Sequence, residues 1–306
     1  MEHENKEEGP GVFIVHNPVA GTSDPDTVRA VIEEHLAGRN YHIYETTGEE
    51  NVRDIVEDAI KQGYRMIWAA GGDGTVAAVA NGLVGGDVPL GIVPLGSGNI
   101  IAKELDIPLD VAAACDLLVG AHRTQRLDVL RVGKDYFVLA VSVGISALMI
   151  TETAREQKRR LGQIAYLLNG MRIILSKALW PFRVTVDGQP VVVRASEVIA
   201  ANVGVIGYKT IRWGNQVRPD DGKIDLCRVR MDSAARLFSV LNGVLFGQQN
   251  QLEELTCTAA SQFIEIESRQ KLPVQGDGEK IGFTPVRIEV VPHCLPVIIP
   301  GDEERG

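Results

Sequence analysis

Three glycines in a five-residue string, Gly71-Gly72-Asp73-Gly74-Thr75, constrain this chain more than any other feature of its sequence. The apolar residues 65–70 before the string predict a buried strand, and residues 76–83 after it predict a helix. Glycines let a ligand approach the backbone closely, and the amides and dipole of a helix N-terminus favour an anion. The string therefore predicts a phosphate-binding turn between strand and helix, although an ordinary tight turn is the alternative.

The first third of the chain alternates predicted strands, at residues 12–15, 41–44, 65–70 and 90–93, with predicted helices. Asp24 followed by Pro25 marks the N-terminus of one helix, and Asn51 marks that of the next. This order predicts a three-layer α/β domain, in which helices cover both faces of a parallel sheet. Ligands of such sheets bind beyond the carboxyl ends of the strands. The loops expected there are rich in Gly, Asn, Ser or Thr, at residues 17–21, 46–47, 71–75 and 94–99.

After about residue 126 the pattern changes to short apolar or alternating runs, separated by Gly, Asp and Pro. These runs, at residues 136–143, 182–186, 197–203, 223–229 and 263–266, predict a second, mostly antiparallel domain. Two longer segments, near residues 155–178 and 232–250, predict helices.

Composition excludes several classes of protein. The net charge of −9 supplies no overall basic field for nucleic acid, so no nucleic-acid partner is expected. No apolar stretch reaches the roughly 18 uncharged residues of a membrane span, and the acidic residues 1–8 lack the apolar core of a secretory signal. The four cysteines are far apart and not spaced as metal ligands, so we expect reduced core cysteines in a cytoplasmic protein. They are Cys115, Cys227, Cys257 and Cys294.

Four further strings accompany the glycine string, and each alone also fits an ordinary turn. They are Asn17-Pro18-Val19-Ala20-Gly21, Gly96-Ser97-Gly98-Asn99, Pro219-Asp220-Asp221-Gly222-Lys223-Ile224-Asp225-Leu226 and Gln275-Gly276-Asp277-Gly278-Glu279. As an ordered set from residue 17 to residue 279, they resemble the diacylglycerol-kinase-like lipid kinase family, which includes sphingosine kinases and bacterial lipid kinases. In two places the chain departs from common patterns of the family: Ile100 stands where many members have Asp, and Ser97 where Thr is common.

The resemblance implies an ATP-binding α/β domain over residues 1–126, which residues 295–306 could complete. It also implies a β-sandwich domain for the lipid substrate over residues 127–294, and an active site in the cleft between the two. The residues implied to contact ATP are Asn17, Pro18, Gly21, Thr46, Gly71, Gly72, Asp73, Gly74, Thr75, Ser97 and Asn99. Asp73 could reach a Mg²⁺-bound water or orient its loop, and it could also cap a helix that begins at Thr75.

The implied catalytic carboxylates are Asp277 and Glu279, which match the Asp-Gly-Glu of the family. In extended backbone their spacing would place both on one face, and a general base acting on a lipid hydroxyl contributes about 10²- to 10⁴-fold. The alternative is an Asp-Gly hairpin turn. For the implied structural Mg²⁺, Asp221 is the carboxylate ligand and Arg218 and Lys223 supply backbone oxygens, although Asp-Asp-Gly is also a hairpin signal.

A basic cluster precedes an apolar helical pattern that reaches residue 175. The cluster consists of Arg155, Lys158, Arg159 and Arg160. Such a segment predicts peripheral contact with an anionic lipid surface, or else a core-facing helix with a solvated basic end.

Residues 72–77 also satisfy the loose dinucleotide fingerprint of dehydrogenases. That fingerprint normally follows the first strand, whereas here it follows the third, and the acidic residue expected at the end of the next strand is missing. NAD kinases and phosphofructokinases have similar Gly-Gly-Asp-Gly loops. A soluble NAD-kinase-like small-molecule kinase and a catalytically silent nucleotide-binding module therefore stay open as alternatives. Our expectation is a Mg²⁺-requiring kinase that transfers the γ-phosphate of ATP to a hydroxyl of diacylglycerol or a related lipid.

Overall fold

A computed structural model describes residues 11–150, 179–206, 208–214, 216–231, 236 and 255–301. The predicted helical segments at 155–178 and 232–250 lie outside the described residues, apart from residue 236, and the predicted membrane-contact segment lies outside them too. Within the described ranges, no helix is both long enough and apolar enough to cross a membrane.

The chain divides into two compact units, one formed by residues 1–127 and 294–306 and the other by residues 128–293. The elements up to residue 119 are β1 (Val12–His16), α1 (Pro25–His35), β2 (Tyr41–Glu45), α2 (Val52–Lys61), β3 (Met66–Gly71), α3 (Asp73–Leu83), β4 (Leu90–Pro94), α4 (Ile100–Glu104) and α5 (Val111–Val119). The strands that follow are β5 (His122–Val132), β6 (Asp135–Phe137), β7 (Ala140–Gly144), β8 (Trp180–Val186), β9 (Gln189–Ala195), β10 (Glu197–Ala201), β11 (Val205–Ile206), β12 (Tyr208–Arg212), β13 (Ile224–Val229), β14 (Leu255–Ala260), β15 (Phe263–Ser268), β16 (Pro273–Gly276), β17 (Glu279–Phe283) and β18 (Val286–Pro300). Residues 145–150 are helical.

The first unit contains the predicted parallel sheet. Its strands follow the order β2-β1-β3-β4, and β4 pairs in parallel with the last part of β18 through Leu90 and Val297. Every residue of β1 and of β4 is buried, as expected for strands that helices cover on both faces. At the start of α1 the Asp24 carboxylate accepts a hydrogen bond from the Thr27 amide at 3.0 Å, and Pro25 occupies the first helical position.

The second unit is the predicted antiparallel sandwich. One sheet has the order β14-β13-β10-β7-β16-β17, and the first part of β18 pairs with β15, which pairs with β8, which pairs with β9. The inner faces of the two layers share one apolar cluster. From the first layer it includes Val143, Val198 and Leu226, and from the second Phe182, Ile264 and Ile288.

The run at residues 136–143, expected as one strand, forms two strands, β6 and β7. The amides of Val138 and Leu139, between the two strands, donate to the Asp277 carboxylate at 2.7 and 2.9 Å. Because these amides are committed to a side chain, they cannot continue the hydrogen-bond ladder of a strand. The break is therefore set by a residue far along the chain.

The expectation of four reduced cysteines is wrong for Cys227 and Cys257, which form a disulfide. These residues lie directly opposite each other in the pairing of β13 with β14, with a Cα–Cα distance of 4.1 Å. Cys115 and Cys294 are free and buried, as expected. Burial raises the pKa of the Cys115 thiol to about 12.

Candidate functional site

The loops that follow β1 and β3 flank the point at which the strand order of the parallel sheet reverses. From β1 the chain goes to β2 on one side and then to β3 on the other. In open α/β sheets, the crevice at the carboxyl ends of the strands beside such a point is where ligands bind. The 17–21 loop and the 71–75 loop therefore occupy the position that the fold itself favours for a ligand.

Hydrogen bonds join the loops at this edge of the sheet. Asn17 donates from its backbone amide to the Ala70 carbonyl at 2.9 Å and from Nδ2 to Thr75 Oγ1 at 3.2 Å. The Thr46 amide donates to the carbonyl of His16 at 2.8 Å. Asn17, Thr46 and Thr75, three of the residues implied to contact nucleotide, are thus brought together by direct bonds between neighbouring loops or strand ends.

Glycines allow the backbones of these loops to touch. Gly21 has φ +72°, and a Cβ on it would overlap the carbonyl oxygen of Leu95. A Cβ on Gly96 would lie 2.6 Å from the Cα of Gly72. Gly74 differs, because a Cβ there would have no atom within 4 Å. The space over Gly74 is therefore open, whereas neighbouring backbone fills the space beside Gly21, Gly72 and Gly96.

Asp73 joins the 71–75 loop to the 96–99 loop. Helix α3 begins at Asp73 with Gly72 as its N-cap, so the expected beginning at Thr75 is wrong, and Asp73 does not cap its own helix. Its Oδ1 instead accepts a hydrogen bond from the Ile100 amide at 2.6 Å, at the start of α4. Burial raises the pKa of Asp73, while the amides at the start of α4 and the Lys103 ammonium act in the opposite direction. The carboxylate thus fixes the start of α4 against the 71–75 loop, and its expected approach to a Mg²⁺-bound water stays a prediction.

Asn99 presents an acceptor that nothing in the described residues satisfies. It has φ 49°, and its Oδ1 is buried without a hydrogen-bond partner. Ser97, two residues earlier, is exposed, and Pro18 in the 17–21 loop is half-buried. A buried acceptor without a partner fits a ligand with hydrogen-bond donors, and a nucleotide has such donors.

Asp277 and Gly278 form a two-residue hairpin turn between β16 and β17. Their φ angles are +48° and +89°, and Gly276 pairs with Glu279 across the turn, which is the geometry of a type I′ hairpin. The expected extended backbone is therefore wrong for Asp277, although Glu279 lies in strand β17, and the hairpin alternative describes the local shape.

The two carboxylates of this turn have different surroundings. Asp277 accepts hydrogen bonds from three consecutive amides, those of Val138, Leu139 and Ala140, at 2.7, 2.9 and 3.0 Å. Glu279 is exposed at the start of β17. Because amide donors hold the Asp277 oxygens in place, Glu279 is the carboxylate of the pair that can reach an external group.

The turn expected to bind Mg²⁺ is held by Asp128, which sequence reasoning missed. Asp128 is fully buried, and its two oxygens accept from the amides of Gly222 and His293 at 2.6 and 2.8 Å. Burial raises the pKa of Asp128, and these amide bonds act against that rise. The signal was available: residues 127–130 are an apolar run with one carboxylate in it. A charge inside a buried run needs partners, and here the partners are turn amides.

This turn contains more carboxylates than cations, with three Asp residues at 220, 221 and 225 against Arg218 and Lys223. Asp221 accepts a hydrogen bond from the Lys223 amide at 3.1 Å, and the Lys223 ammonium lies 3.9 Å from its other oxygen. Asp225 is buried, with Oδ1 unpartnered in the described part of the chain. Burial and then the charge of Asp221 raise the pKa of Asp225, against the effect of Lys223. Arg218 pairs with Asp220 at 3.1 Å.

Oxygen donors with excess negative charge fit a hard divalent cation. Within the described ranges, no three His, Cys, Asp or Glu side chains are grouped to hold a metal. The expected set does not require such a group, because it combines one carboxylate with two backbone oxygens.

Asn202, also missed from the sequence, connects the segment that holds the 219–223 turn with the segment that holds the Asp277-Gly278 turn. It is fully buried, and its Nδ2 donates to the carbonyls of Asp128 and Val138 at 2.9 and 2.8 Å. The strand that carries Asp128 is thereby fixed to the segment whose amides hold Asp277.

Two family descriptions together match almost the whole chain. Residues 11–132 match the diacylglycerol kinase catalytic domain, and residues 139–299 match the YegS C-terminal NAD kinase beta sandwich-like domain. A Pseudomonas aeruginosa protein named "Probable lipid kinase YegS-like" is 30% identical, with 94% of each chain covered. A Staphylococcus carnosus protein named "Diacylglycerol kinase" is 25% identical, over 94% of this chain and 95% of its own length. A crystal structure titled as a diacylglycerol kinase from Bacillus anthracis superposes with a TM-score of 0.77 at 25% identity, covering 97% of this chain and 99% of the other.

Proposed function

Because this chain belongs to the diacylglycerol kinase family, we propose that it transfers the γ-phosphate of ATP to a hydroxyl of diacylglycerol or a related lipid. One observation carries most of the proposal. The 17–21, 71–75 and 96–99 loops are joined at the reversal point of a parallel sheet, and the space over Gly74 is open. Phosphoryl transfer depends chiefly on positioning and charge stabilisation, which a set of fixed amide donors can supply.

ATP supplies the phosphoryl group, and the loops of the first unit would hold it. The backbone of residues 71–75 would lie along the phosphates, at the N-terminus of α3, where amides and dipole favour negative charge. Asn99 Oδ1, without a partner in the described residues, would accept from a donor of the nucleotide, and the exposed Ser97 hydroxyl would add a contact. The remaining walls of the nucleotide site would be formed by Gly21, Pro18 and Thr46.

The acceptor hydroxyl needs a base, and Glu279 is suited to that role. It is exposed, while the neighbouring Asp277 is held by three amides and fixes the turn. In this proposal Glu279 takes the hydroxyl proton as the acceptor oxygen bonds to the γ-phosphorus. The bond from that phosphorus to the β,γ-bridging oxygen breaks at the same time and releases ADP. Asp277 positions Glu279. Asp221, with the carbonyl oxygens of Arg218 and Lys223, would hold a Mg²⁺ that offsets the charge around Asp225.

A lipid acceptor is favoured because named relatives along the whole length are described as lipid or diacylglycerol kinases. Such an acceptor is presented at a bilayer surface, so the proposal includes peripheral contact with membrane. A small-molecule acceptor is the second candidate, because the family description of residues 139–299 names NAD kinase.

The acceptor is tested with purified protein, Mg²⁺ and γ-labelled ATP. The panel contains diacylglycerol, sphingosine, ceramide and phosphatidylglycerol in mixed micelles, and NAD as the soluble comparator. Label in one lipid supports the proposal, and label in NAD alone supports the second candidate. Absence of label in every acceptor, with ATP bound, would identify a silent nucleotide-binding module.

The nucleotide site is tested separately by Gly74→Val, with ATP affinity measured by calorimetry. A side chain over the open space should remove detectable binding and leave the melting temperature unchanged, because no protein atom lies within 4 Å of the new Cβ. Gly301→Val is the matched control, since Gly301 has equally open surroundings in the same unit. Unchanged ATP affinity in Gly74→Val would refute the assignment of this loop.

A further inference from the structure

A row of hydrogen-bonded side chains lies behind the Asp277-Gly278 turn and ends at a buried carboxylate. Gln275 Nε2 donates to Ser142 Oγ at 2.9 Å, and Ser142 Oγ lies 2.7 Å from Ser146 Oγ. The Ser146 hydroxyl donates to Glu197 Oε1, and its amide donates to Oε2 at 3.0 Å. At the other end, Gln275 Oε1 accepts from the Gly278 amide at 2.8 Å. We call Glu197, Ser146, Ser142 and Gln275 the Glu197 relay.

The inner end of the relay is deeply buried. Glu197 is 5% exposed and Ser142 is 2% exposed, in a sandwich whose neighbouring positions are apolar. Burial raises the pKa of Glu197, and hydrogen bonds from the Ser146 hydroxyl and amide act in the opposite direction. A carboxylate at such a site stabilises the fold less than a well-packed apolar side chain would. Its presence therefore calls for an explanation other than packing.

When Glu197 is ionised, its carboxylate sets the direction of every bond in the relay. Because a carboxylate only accepts, the Ser146 hydroxyl must donate to Glu197, and the Ser142 hydroxyl donates in the same direction. The Ser142 oxygen is then left to accept from Gln275 Nε2. In this orientation of the Gln275 side-chain amide, Oε1 faces Gly278 and accepts a hydrogen bond from its N–H group.

The geometry points to Glu197 as a positioning residue: through Ser146, Ser142 and Gln275 it fixes the Gly278 amide and hence the direction of the Glu279 side chain. The inference rests on the proposed function, in which Glu279 is the base that meets the acceptor hydroxyl. Gly278 is the residue directly before Glu279, so the rotation of its peptide decides where β17 begins and where the carboxylate of Glu279 lies.

The direction of the bonds is tested by Glu197→Gln, which preserves shape and removes the charge. The new amide can donate to Ser146 Oγ, which reverses the row, so that Ser142 donates towards residue 275. Gln275 must then turn its oxygen to Ser142 and lose the Gly278 bond. We expect the Gly278 amide to exchange with solvent about 2- to 10-fold faster, the range of one neutral hydrogen bond. The turnover number for lipid phosphorylation should fall, with KM for ATP unchanged.

The reversed row predicts a specific rescue. Adding Gln275→Glu to Glu197→Gln supplies one oxygen to accept from Ser142 and another to accept from Gly278. The double variant should recover slow Gly278 exchange and most of the turnover, although Gln275→Glu alone places a second carboxylate beside an intact relay and should be impaired. A purely structural role for Glu197 does not predict this recovery, because each substitution removes a native bond.

Amide exchange is followed by NMR and needs no turnover, so the relay and the proposed function fail separately. An inactive parent refutes the kinase proposal and the functional part of this inference, while Gly278 exchange still decides whether the relay acts on the turn. If Glu197→Gln does not fold, Gln275→Met at its half-buried position removes the same bond to Gly278. Thr185→Val, in the hairpin that β8 forms with β9, is the control and should leave Gly278 exchange unchanged.

Unchanged Gly278 exchange in a folded relay variant would overturn the inference. Faster Gly278 exchange with unaltered turnover would also overturn it. So would a folded double variant whose Gly278 exchange and turnover do not improve on those of the single variants.

Discussion

The second unit contains two hairpins of the same construction, one at Asp187-Gly188 between β8 and β9 and the other at Asp277-Gly278 between β16 and β17. The φ angles are +47° and +84° in the first hairpin and +48° and +89° in the second. Each Asp carboxylate accepts from three consecutive amides. Those of residues 261–263 lie 2.7, 2.8 and 3.0 Å from Asp187, and those of residues 138–140 lie 2.7, 2.9 and 3.0 Å from Asp277.

The hairpins differ in what surrounds this shared clamp. Gln189 follows the first turn, whereas Glu279 follows the second. The Gly278 amide donates to the side chain of Gln275, which lies two residues before Asp277. The equivalent residue of the first hairpin is Thr185, and the described residues show no bond between its side chain and the Gly188 amide. An Asp held by three amides is thus a device for fixing a hairpin to a neighbouring segment. What distinguishes the second hairpin is its exposed carboxylate and the buried relay behind it.

The largest expected effect is on Glu279. Glu279→Gln should lower turnover by about two to four orders of magnitude, because the proposed base is lost, with ATP affinity and melting temperature unchanged. Steady-state kinetics and calorimetry measure both quantities. The matched change is Gln189→Glu, which creates Asp-Gly-Glu in the first hairpin. It should not restore activity to Glu279→Gln, and near-normal turnover in Glu279→Gln alone would remove the functional distinction between the hairpins.

The paired substitutions Asp187→Asn and Asp277→Asn test the clamp itself. Each replaces a charged acceptor of three amides, so each should destabilise the protein by about 1–3 kcal/mol in urea unfolding. Turnover should fall only in Asp277→Asn, because only that hairpin carries the proposed base. Equal loss of turnover in both variants would mean that activity follows stability and not the local turn.

Smaller and nearly equal effects are expected for Gly188→Ala and Gly278→Ala. Both glycines have positive φ, and neither has an atom within 4 Å of an added Cβ. The cost is then backbone strain alone, about 1 kcal/mol in each case, measured as the change in free energy of unfolding. A much larger loss of unfolding free energy in Gly278→Ala than in Gly188→Ala would show that the second turn tolerates less movement than the first.

The smallest effect concerns acid stability. Burial acts to raise the pKa of Asp187, but its three amide bonds together lower it below the ordinary value. A lowered pKa means that stability from Asp187 is present above about pH 4 and is lost as pH falls through the folded-state pKa. Asp187→Asn should therefore flatten the decline of unfolding free energy as pH falls below about 4. An unchanged decline would indicate that other carboxylates govern it.

Local patterns predicted much of the first unit. Apolar runs bounded by Gly, Asn or Pro gave four strands within a few residues of their bounds, and Asp24 with Pro25 correctly marked the start of α1. These features depend on residues close in sequence, so a short window contains the information. The hairpin alternative for Asp277-Gly278 likewise depended on a local signal, and the turn there has the expected positive φ angles.

Features that depend on distant partners could not be predicted in the same way. The amides that hold Asp277 lie more than a hundred residues before it, and nothing near Val138 indicates that its amide leaves the strand ladder. The disulfide of Cys227 with Cys257 depends on the register of β13 against β14. An Asp near the start of a helix is typical of a local cap. The bond that Asp73 accepts from the Ile100 amide depends instead on contact between two loops that are distant in sequence.

The parallel sheet of the first unit is completed by a strand from the far end of the chain. Val297 of β18 pairs with Leu90, and Ile298 is buried in the same apolar cluster as Ile14 and Trp68. On the ribosome, β1 to β4 emerge first, yet the last neighbour of β4 emerges only after the whole of residues 128–293. That middle stretch forms one compact unit from contiguous sequence, so all of its residues are available before β18 is complete. The half synthesised first is therefore the half that matures last, and until then the edge of β4 is open to pairing with another nascent chain.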